Sequence, residues 1–263
     1  MDTLIVERLR SFIDFSKSYL KKEFINHNFS KKEKEKHDYV TECDFFIEDK
    51  FKEMVMRNWP DASIIAEERN TRKGTGKYTF VIDPIDGTNN FSTGIPIFGT
   101  SISVFKESEP YYSIVYLHAE DYILEAYENK AFLNSREIKV PHTRELYFLL
   151  SDSRLEKITK YCKDSVIFEL TEKVGKMRML GAAVYNISYV ALGRGVVGIE
   201  YELKPVDYPA CCHFLENAEG IVEPFHGANS WKELNECGLI FAANEEHLNL
   251  VKEIVKKNKK NGY

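Results

Sequence analysis

The sequence has no long apolar segment and no surplus of basic residues, and each absence excludes a class of protein. Nowhere does it contain the roughly 18 successive apolar residues that a membrane-spanning helix needs. Its 36 Lys and Arg against 41 Asp and Glu give a formal charge of −5, which provides no general attraction for nucleic acid or an anionic membrane. We therefore expect no nucleic-acid partner and no membrane association, and a phosphate-bearing ligand would have to be attracted locally.

Cysteine is scarce, with five residues in a chain of 263, an odd set whose spacing fits no zinc site. They are Cys43, Cys162, Cys211, Cys212 and Cys237. The first residues also lack a basic stretch followed by an apolar run of the kind that directs secretion. We therefore predict reduced, buried thiols in a soluble cytoplasmic protein.

No internal repeat and no low-complexity linker divides the chain. Its 263 residues, 43% hydrophobic and 29% charged, suffice for one large domain or two closely packed ones. The order of predicted elements changes near residues 141–150. We therefore expect an N-terminal α+β subdomain over 1–145 and a C-terminal α/β subdomain over 146–263, packed as one structural unit.

Hydrophobic spacing predicts both helices and strands. Helices are predicted over residues 1–27, from near Asp44 to the residue before Pro60, and over 155–162, 182–192, 208–218 and 245–257. Strands or extended segments are predicted at 63–66, 78–82, 100–105, 111–117, 123–127, 148–150, 176–180, 196–201 and 239–242, with a hairpin at 131–134. The charged stretch 30–36 has no apolar periodicity, so it is predicted as a solvated loop, with a lid as the alternative.

The most informative segment is residues 83–88, Asp-Pro-Ile-Asp-Gly-Thr, which follows a strand-like apolar run. Pro84 fixes one backbone dihedral and removes a donor, so we expect the strand to end there. The carboxylates of Asp83 and Asp86, with the carbonyl of Ile85 between them, could then converge on a hard cation such as Mg²⁺. The two amides that follow would remain free for an anion.

The same six residues could also form an ordinary surface turn, because Asp-Pro and Asp-Gly pairs are common there. Other acidic residues favour a functional site over a surface turn. Glu67 and Glu68 end a second apolar stretch, and Asp207 precedes a predicted helix, which it would cap with Pro209 in the first turn. Acids gathered at the ends of several elements make a functional site the better interpretation.

Other residue types that often carry chemistry are predicted to be structural. His118, His142 and His213 stand outside the acidic set and have no zinc-like spacing. Residues 151–153, Ser-Asp-Ser, follow a strand-like run and predict a turn, with a pocket-lining hydroxyl as the alternative.

In order and spacing, the paired acids at 67–68, the run 83–91 and the acid at 207 resemble the inositol monophosphatase family. That family includes the archaeal-type inositol monophosphatase/fructose-1,6-bisphosphatases. The resemblance extends from the first helix through Gly220. It implies an α/β (α+β) fold, the layered α-β-α-β-α sandwich of the sugar phosphatase superfamily.

The resemblance implies two to three Mg²⁺ per active site, with Mn²⁺ as a possible substitute. Glu67, Asp83 and the Ile85 carbonyl would hold a first ion. Asp83, Asp86 and Asp207 would hold a second, so that Asp83 bridges the two.

The resemblance also implies catalytic roles for three residues in direct attack by water. Thr88 would hydrogen-bond the attacking water, and Glu67 would orient it or share its proton. Asp44 would help to place a third, weaker Mg²⁺ through water, and it can also act as the N-cap of the helix that follows. The alternative for Thr88 is a turn hydroxyl.

Substrate contacts implied by the resemblance come from both halves of the chain. They are Asp86, Gly87, Thr88, Gly181, Ala182, Ala183, Glu200 and Asp207. The amides at 87 and 88 would cradle the phosphate, and Glu200 would accept hydrogen bonds from vicinal hydroxyls. The alternatives are helix packing for residues 181–183 and a solvated strand-end charge for Glu200.

One departure from the family pattern concerns the rim of the site. Many relatives have Trp where this chain has Val206, and Lys204 is added. Lys204 could meet a second phosphate on the substrate, or it could simply pair with Glu202. Specificity for inositol phosphate therefore stays open.

The function implied by the resemblance is Mg²⁺-dependent hydrolysis of a phosphomonoester, with inositol 1-phosphate and fructose 1,6-bisphosphate as leading substrates. Lithium inhibition and a homodimer are expected with it. One alternative is a phosphatase for 3′-phosphoadenosine 5′-phosphate, NADP or histidinol phosphate. Another is a regulatory module that senses phosphorylated metabolites and turns over little.

Overall fold

The computed structural model describes residues 2–35, 38–68, 71–141, 147–150, 158, 160–163 and 165–259. In chain order the elements are α1 (Thr3–Asn26), β1 (Lys31–Glu35), β2 (Asp38–Thr41), α2 (Glu42–Asn58), β3 (Ser63–Ala66), β4 (Tyr78–Asp86), α3 (Thr88–Thr93), β5 (Gly99–Lys106), β6 (Glu109–Leu117), β7 (Tyr122–Tyr127), β8 (Lys130–Leu133), β9 (Arg136–Ile138), β10 (Tyr147–Leu150), α4 (Ser165–Val174), β11 (Lys176–Arg178), α5 (Ala183–Ala191), β12 (Val197–Leu203), α6 (Pro209–Asn217), β13 (Ile221–His226), a 3-10 turn (Trp231–Glu233), β14 (Cys237–Ala242) and α7 (Glu245–Asn258).

Two sheets organise the described chain. Seven strands form one sheet in the order β3-β4-β5-β6-β7-β8-β9, where β3 and β4 run parallel and the other pairs antiparallel. Five strands form the other in the order β11-β10-β12-β14-β13, with β10 parallel to both of its neighbours. The strands β1 and β2 make a separate antiparallel pair.

Alternation along the strands divides the interior into three apolar layers. Phe80 and Ile82 of β4 pack with α1 and α2, whereas Val81 faces the opposite layer with α5 and α6. In β14, Phe241 faces that central layer, and Ile240 faces α4 and α7. Side chains of successive strand residues point to opposite faces, so each sheet is covered on both sides. The α-β-α-β-α sandwich is confirmed.

Most predicted elements that fall on described residues are confirmed, whereas the helix predicted over 155–162 lies partly outside them. The expectations for residues 31–35 and for Asp207 are wrong. Residues 31–35 form β1, because their backbone pairs with β2 although their side chains show no apolar pattern. Asp207 does not cap α6. Its N-cap residue is Tyr208, without a side-chain cap bond, although Pro209 does lie in the first turn.

Several elements escaped prediction, among them the short strands β2 and β9 and the 3-10 turn. The helix α3 has six residues, too few to show a helical period. The strand β13 contains Pro224, and proline within a run argues against a strand. The helix α4 is amphipathic over ten residues and could have been recognised from its spacing.

The remaining structural predictions concern cysteines, boundaries and histidines. The five cysteines are buried and free, as predicted. None of the described helices is long and apolar enough to cross a bilayer. The subdomain boundary at 145 and 146 stays a prediction, because residues 142–146 lie outside the described chain. His142 and residues 151–153 also lie outside it.

Candidate active site

A β-bulge in β4 brings the two motif aspartates to one side of the sheet. Asp83 pairs with Ser101 and Asp86 with Gly99, so three steps along β4 match two along β5. Residues three apart on a regular strand point to opposite faces, and the additional residue of a bulge reverses that alternation. The expected strand end at Pro84 is therefore wrong, since β4 continues to Asp86.

Gly87 makes the turn from β4 into α3. Its φ is +89°, and a Cβ there would lie 2.9 Å from the Ile97 carbonyl oxygen and 3.1 Å from Cβ of Ala182. The left-handed conformation and the close approach both require glycine. The role of the Gly87 amide in binding an anion stays a prediction.

Gly87→Ala is expected to destabilise the fold by about 1–3 kcal/mol, through backbone strain and the contact with Ile97. Gly94→Ala is the matched control, because φ is +82° there but a Cβ would approach only Cε1 of His27, at 3.7 Å. Thermal unfolding should show a larger fall in Tm for the Gly87 variant. Equal falls in Tm for the two variants would mean that the close contacts around Gly87 do not contribute to the loss of stability.

Thr88 and Asp44 meet at the start of α3. The Thr88 hydroxyl lies 2.8 Å from the Ile85 carbonyl oxygen and 3.2 Å from Oδ1 of Asp44. Oδ2 of Asp44 accepts from the amide and the hydroxyl of Thr41, at 2.8 and 2.6 Å. Thr41, not Asp44, is thus the N-cap of α2, and Asp44 completes a capping box. The N-cap of α2 thus lies three residues before the predicted one.

Burial raises the pKa of Asp44 to about 7, although the hydrogen bonds from Thr41 act in the opposite direction. The carboxyl group is fully buried. An acid with a pKa near neutrality can accept a proton and release it again under physiological conditions. The structure therefore places a candidate base next to the Thr88 hydroxyl.

Two lysines contact the paired glutamates that follow β3. Nζ of Lys34 lies 3.2 Å from Oε1 of Glu67, and Nζ of Lys204 lies 3.1 Å from the same oxygen. Lys34 also forms a short ion pair with Glu68. The strand β1, expected to be a loop or a lid, therefore reaches the site through Lys34.

Asp207 closes the turn before α6. Its Oδ2 accepts from the backbone amide of Lys204 at 2.7 Å. The expected pairing of Lys204 with Glu202 is wrong, because the ammonium group lies against Glu67 and Lys160 bonds Glu202 instead.

The loop before α5 lies against the motif. The side-chain amide of Asn90 donates to the carbonyls of Leu180 and Ile97, each at 2.8 Å. The backbone amide of Val184, in the first turn of α5, donates to Oδ2 of Asp86. Ala182 thereby lies against Gly87, and Gly181 lies against the side chain of Asn90. Contacts of residues 181–183 with a substrate stay a prediction.

Glu200 is not a solvated strand-end charge. It is 1% exposed in β12, and Oε1 accepts from the side-chain amide of Asn186 at 3.0 Å. This alternative is wrong, because α5 covers the strand at this position. A role for Glu200 in binding hydroxyl groups stays a prediction.

Electrostatics shows that the predicted acids gather. Burial raises the pKa of Asp83 well above its usual value, and the charges of Glu67, Asp86, Asp207 and Asp44 raise it further. Burial also raises the pKa of Asp86, with further contributions from Asp207 and Glu67. Acidic groups this close repel each other unless they are protonated or neutralised by cations.

The donor set fits a hard divalent cation, since all its side chains offer carboxylate oxygens. Within the described residues, no three carboxylate, imidazole or thiol groups already converge as ligands of one ion. Each acid instead faces a donor of the protein: an amide for Asp83, Asp86 and Asp207, and lysines for Glu67. Metal binding would exchange some of these contacts for an ion.

Two residues of the site were missed in the sequence. Glu48 of α2 accepts a hydrogen bond from the backbone amide of Glu68 at 2.7 Å. Lys34 stood in a stretch interpreted as a loop. Glu48 could have been identified from its spacing of four residues from Asp44, which places both on one face of the predicted helix.

Comparisons with known proteins agree on one family. A model of the inositol monophosphatase family matches residues 8–260. The fructose-1,6-bisphosphatase/inositol-1-monophosphatase of Aquifex aeolicus is 30% identical over 239 residues, 84% of this chain and 89% of that protein. The Nus factor SuhB of Pseudomonas aeruginosa is 30% identical over 224 residues, 81% and 80% of the two chains. The solved structure of a Thermotoga maritima IMPase has a TM-score of 0.83 at 26% identity and covers 98% of each chain.

Proposed function

We propose, because the chain belongs to the inositol monophosphatase family, that it is a Mg²⁺-dependent phosphomonoesterase acting on a small polyol or sugar phosphate. The observation that carries the proposal is the arrangement of four acids: the bulge in β4 sets Asp83 and Asp86 on one side of the sheet, and Lys204 contacts both Glu67 and Asp207. Acids from three separate parts of the chain gather beside the turn at Gly87, where burial and the charges of Glu67 and Asp207 raise the pKa of Asp83 and of Asp86. Such a cluster is costly without cations and suits the hydrolysis of an anionic ester.

The residues that would hold two Mg²⁺ are Glu67, Asp83, Asp86 and Asp207, with the carbonyl of Ile85. When bound, divalent cations neutralise phosphate charge, lower the pKa of bound water and stabilise the leaving alkoxide. This set supplies hard oxygen ligands from the ends of two neighbouring strands, β3 and β4, and from one turn.

The Thr88 hydroxyl and Asp44 would manage the proton of the attacking water. The hydroxyl oxygen would accept the proton of the water while its own proton passes to Oδ1 of Asp44, which lies 3.2 Å away. The raised pKa of Asp44, about 7, suits this transfer near neutral pH. Glu67 would orient the same water, and no covalent intermediate with the protein is needed.

Inositol 1-phosphate and fructose 1,6-bisphosphate are the leading substrates, and Lys204 can discriminate between them. Its ammonium group lies against Glu67. When Glu67 serves as a metal ligand, Lys204 loses that partner at the edge of the site. A second phosphate can replace the lost partner, whereas a neutral inositol ring cannot.

Lys204→Met is therefore expected to lower kcat/KM for fructose 1,6-bisphosphate about tenfold, the effect of losing one charged hydrogen bond. The value for inositol 1-phosphate should change by less than about twofold by the same reasoning. Steady-state phosphate release with both substrates measures this. Lys139→Met is the control, because Lys139 pairs with Glu219 on the exposed surface. An equal loss for both substrates would contradict the assignment.

A second candidate function rests on the similarity to the Nus factor SuhB. In that case the chain would bind phosphorylated metabolites or a protein partner and turn over little. The gathered acids favour an enzyme, because a pure binding module has no need of a water-activating site.

Phosphate release from a panel of substrates, with Mg²⁺ or with EDTA, separates these functions. The panel contains inositol 1-phosphate, fructose 1,6-bisphosphate, 3′-phosphoadenosine 5′-phosphate, NADP and histidinol phosphate. We expect Mg²⁺-dependent release from one of the first two. Release from another member alone would reassign the substrate, and no release from any member despite Mg²⁺ binding would favour the regulatory module.

Further expectations stay proposals: a homodimer, a cytoplasmic location, Mn²⁺ as a substitute and inhibition by Li⁺. Analytical ultracentrifugation of the purified chain tests the first. Assays with Mn²⁺ in place of Mg²⁺, and with added Li⁺, test the last two.

A further inference from the structure

The helix α2 presents three charged residues at intervals of four, namely Asp44, Glu48 and Lys52. Residues four apart lie above one another on one face of a helix. Asp44 and Glu48 are fully buried, and the Lys52 side chain is 19% exposed. One face of α2 thus carries a buried row of charge beside the acidic cluster.

Both oxygens of the Glu48 carboxylate have partners. Oε2 accepts from the backbone amide of Glu68 at 2.7 Å. Oε1 accepts from Nζ of Lys52, also at 2.7 Å. Burying a carboxylate is costly unless it is paired and hydrogen-bonded, and here both conditions are met.

The backbone amide of Glu68, which donates to Glu48, lies just beyond the last residue pair of β3 and β4. In the described chain, β3 pairs with β4 as far as Ala66, which lies opposite Ile82. Glu67, a predicted metal ligand, is the next residue. The hydrogen bond from the amide of Glu68 to Glu48 therefore fixes the backbone on the far side of Glu67.

We propose that Glu48 is a positioning residue that holds Glu67 in place for metal binding, a role that rests on the proposed function. Through Glu48, the same helix that supplies Asp44 sets the position of the Glu67 backbone. The base next to Thr88 and the metal ligand are thereby tied to one rigid element. Lys52 pairs with the other oxygen of the carboxyl group that makes this link.

The competing interpretation is that Glu48 only anchors α2 to β3. Loss of an anchor would lower the stability of the fold and leave the metal affinity unchanged. Loss of a positioning residue would also weaken metal binding, because partners that orient a ligand typically contribute 10- to 100-fold to affinity.

The test compares Glu48→Ala, Glu48→Gln and a control, Glu125→Ala. Glu125 is matched in burial, at 1% exposed, and is paired with Arg10 and hydrogen-bonded by Tyr112. Titration calorimetry with Mg²⁺ alone gives the dissociation constant, and thermal unfolding in EDTA gives the stability. We expect Glu48→Ala to bind Mg²⁺ about 10- to 100-fold more weakly than wild type.

Glu48→Gln is expected to restore much of the affinity, because its side-chain oxygen can still accept from the Glu68 amide. Glu125→Ala should lower Tm and leave the Mg²⁺ dissociation constant unchanged. Hydrogen exchange in the metal-free protein gives a direct reading of the contact. The Glu68 amide should exchange faster in Glu48→Ala than in wild type, and near the wild-type rate in Glu48→Gln and Glu125→Ala.

Wild-type Mg²⁺ affinity in Glu48→Ala would overturn the proposal, whatever happens to its Tm. If Glu48→Ala does not fold, Glu48→Gln decides. Exchange of the Glu68 amide near the wild-type rate, with a Mg²⁺ affinity within about tenfold of wild type, supports the role. Exchange much faster than in wild type with an unchanged Mg²⁺ affinity overturns it. If wild type itself binds no Mg²⁺, the proposed function fails and this role fails with it. If wild type releases phosphate and both Glu48 variants keep the wild-type dissociation constant for Mg²⁺, the positioning role of Glu48 is refuted and the proposed function stands.

Discussion

Asp83→Asn and Asp86→Asn are each expected to lower kcat/KM by about 10³- to 10⁵-fold, with the larger loss for Asp83. Asparagine keeps the size of the side chain but removes the negative charge that binds a cation. Asp83 is predicted to bridge two ions, so its replacement affects both. Phosphate release from the best substrate of the panel, measured over a series of Mg²⁺ concentrations, gives the effect.

Asp121→Asn serves as the control for this experiment. Asp121 lies on the surface, 63% exposed, and pairs with Lys17, so its loss should leave kcat/KM within about twofold of wild type because an exposed pair contributes little. Circular dichroism and thermal unfolding establish that each variant folds. A folded Asp83→Asn with wild-type Mg²⁺-dependent rates would mean that the metal ligands are wrongly assigned.

The buried acids of the site are expected to make the metal-free protein less stable at pH 8 than at pH 5, relative to a variant that lacks one of them, and Mg²⁺ is expected to reverse that loss. In the folded chain the pKa of Asp44 is raised to about 7, and those of Asp83 and Asp86 are raised well above their usual value. In the unfolded chain these groups titrate near 4. Between those values the unfolded state binds fewer protons, so the free energy of unfolding falls as the pH rises.

The contribution of Asp44 can be estimated from its own pKa. Of its rise of about three units, about two fall between pH 5 and pH 8, which corresponds to about 2–3 kcal/mol, or roughly 5–10 °C in Tm for a chain of this length. Differential scanning calorimetry at pH 5 and pH 8 in EDTA measures it. A divalent cation neutralises the ionised acids, so Tm at pH 8 should recover with Mg²⁺.

Asp44→Asn is the reference for the pH dependence, because it removes one buried acid and keeps every other titrating group. Burial lowers the pKa of His118 to about 3 and that of His213 to about 4, so both contribute stability as the pH rises, equally in the two proteins. A Tm difference between wild type and Asp44→Asn that stays constant from pH 5 to pH 8 in EDTA would contradict the raised pKa of Asp44. The same result would weaken the case for Asp44 as a base that titrates near neutrality.

The sequence identified which residues form the site better than it identified how they are held. Asp83, Asp86, Glu67 and Asp207 were found because acids at the ends of apolar runs are a local signal. The layered fold came from the family resemblance, since periodicity alone predicts single elements and not their stacking. The bulge at Pro84 was beyond prediction, because a missing amide proton suits both a strand end and a bulge.

Contacts between distant residues account for the other misses. Lys204 is close in sequence to Glu202 and distant from Glu67, and only the fold decides between them. The strand β1 has charged side chains throughout, so its structure depends on pairing with β2 and not on burial. Glu48 shows the same limit, because its partner is the backbone amide of Glu68 twenty residues away.

Anomalous diffraction from crystals soaked with Mn²⁺ and phosphate shows directly whether the gathered acids bind divalent cations. We expect at least two Mn²⁺ peaks, one bound by Glu67, Asp83 and the Ile85 carbonyl and the other by Asp83, Asp86 and Asp207, with the phosphate in contact with both. Mn²⁺ peaks only elsewhere on the chain, with these acids still turned toward their lysine and amide donors, would contradict this expectation.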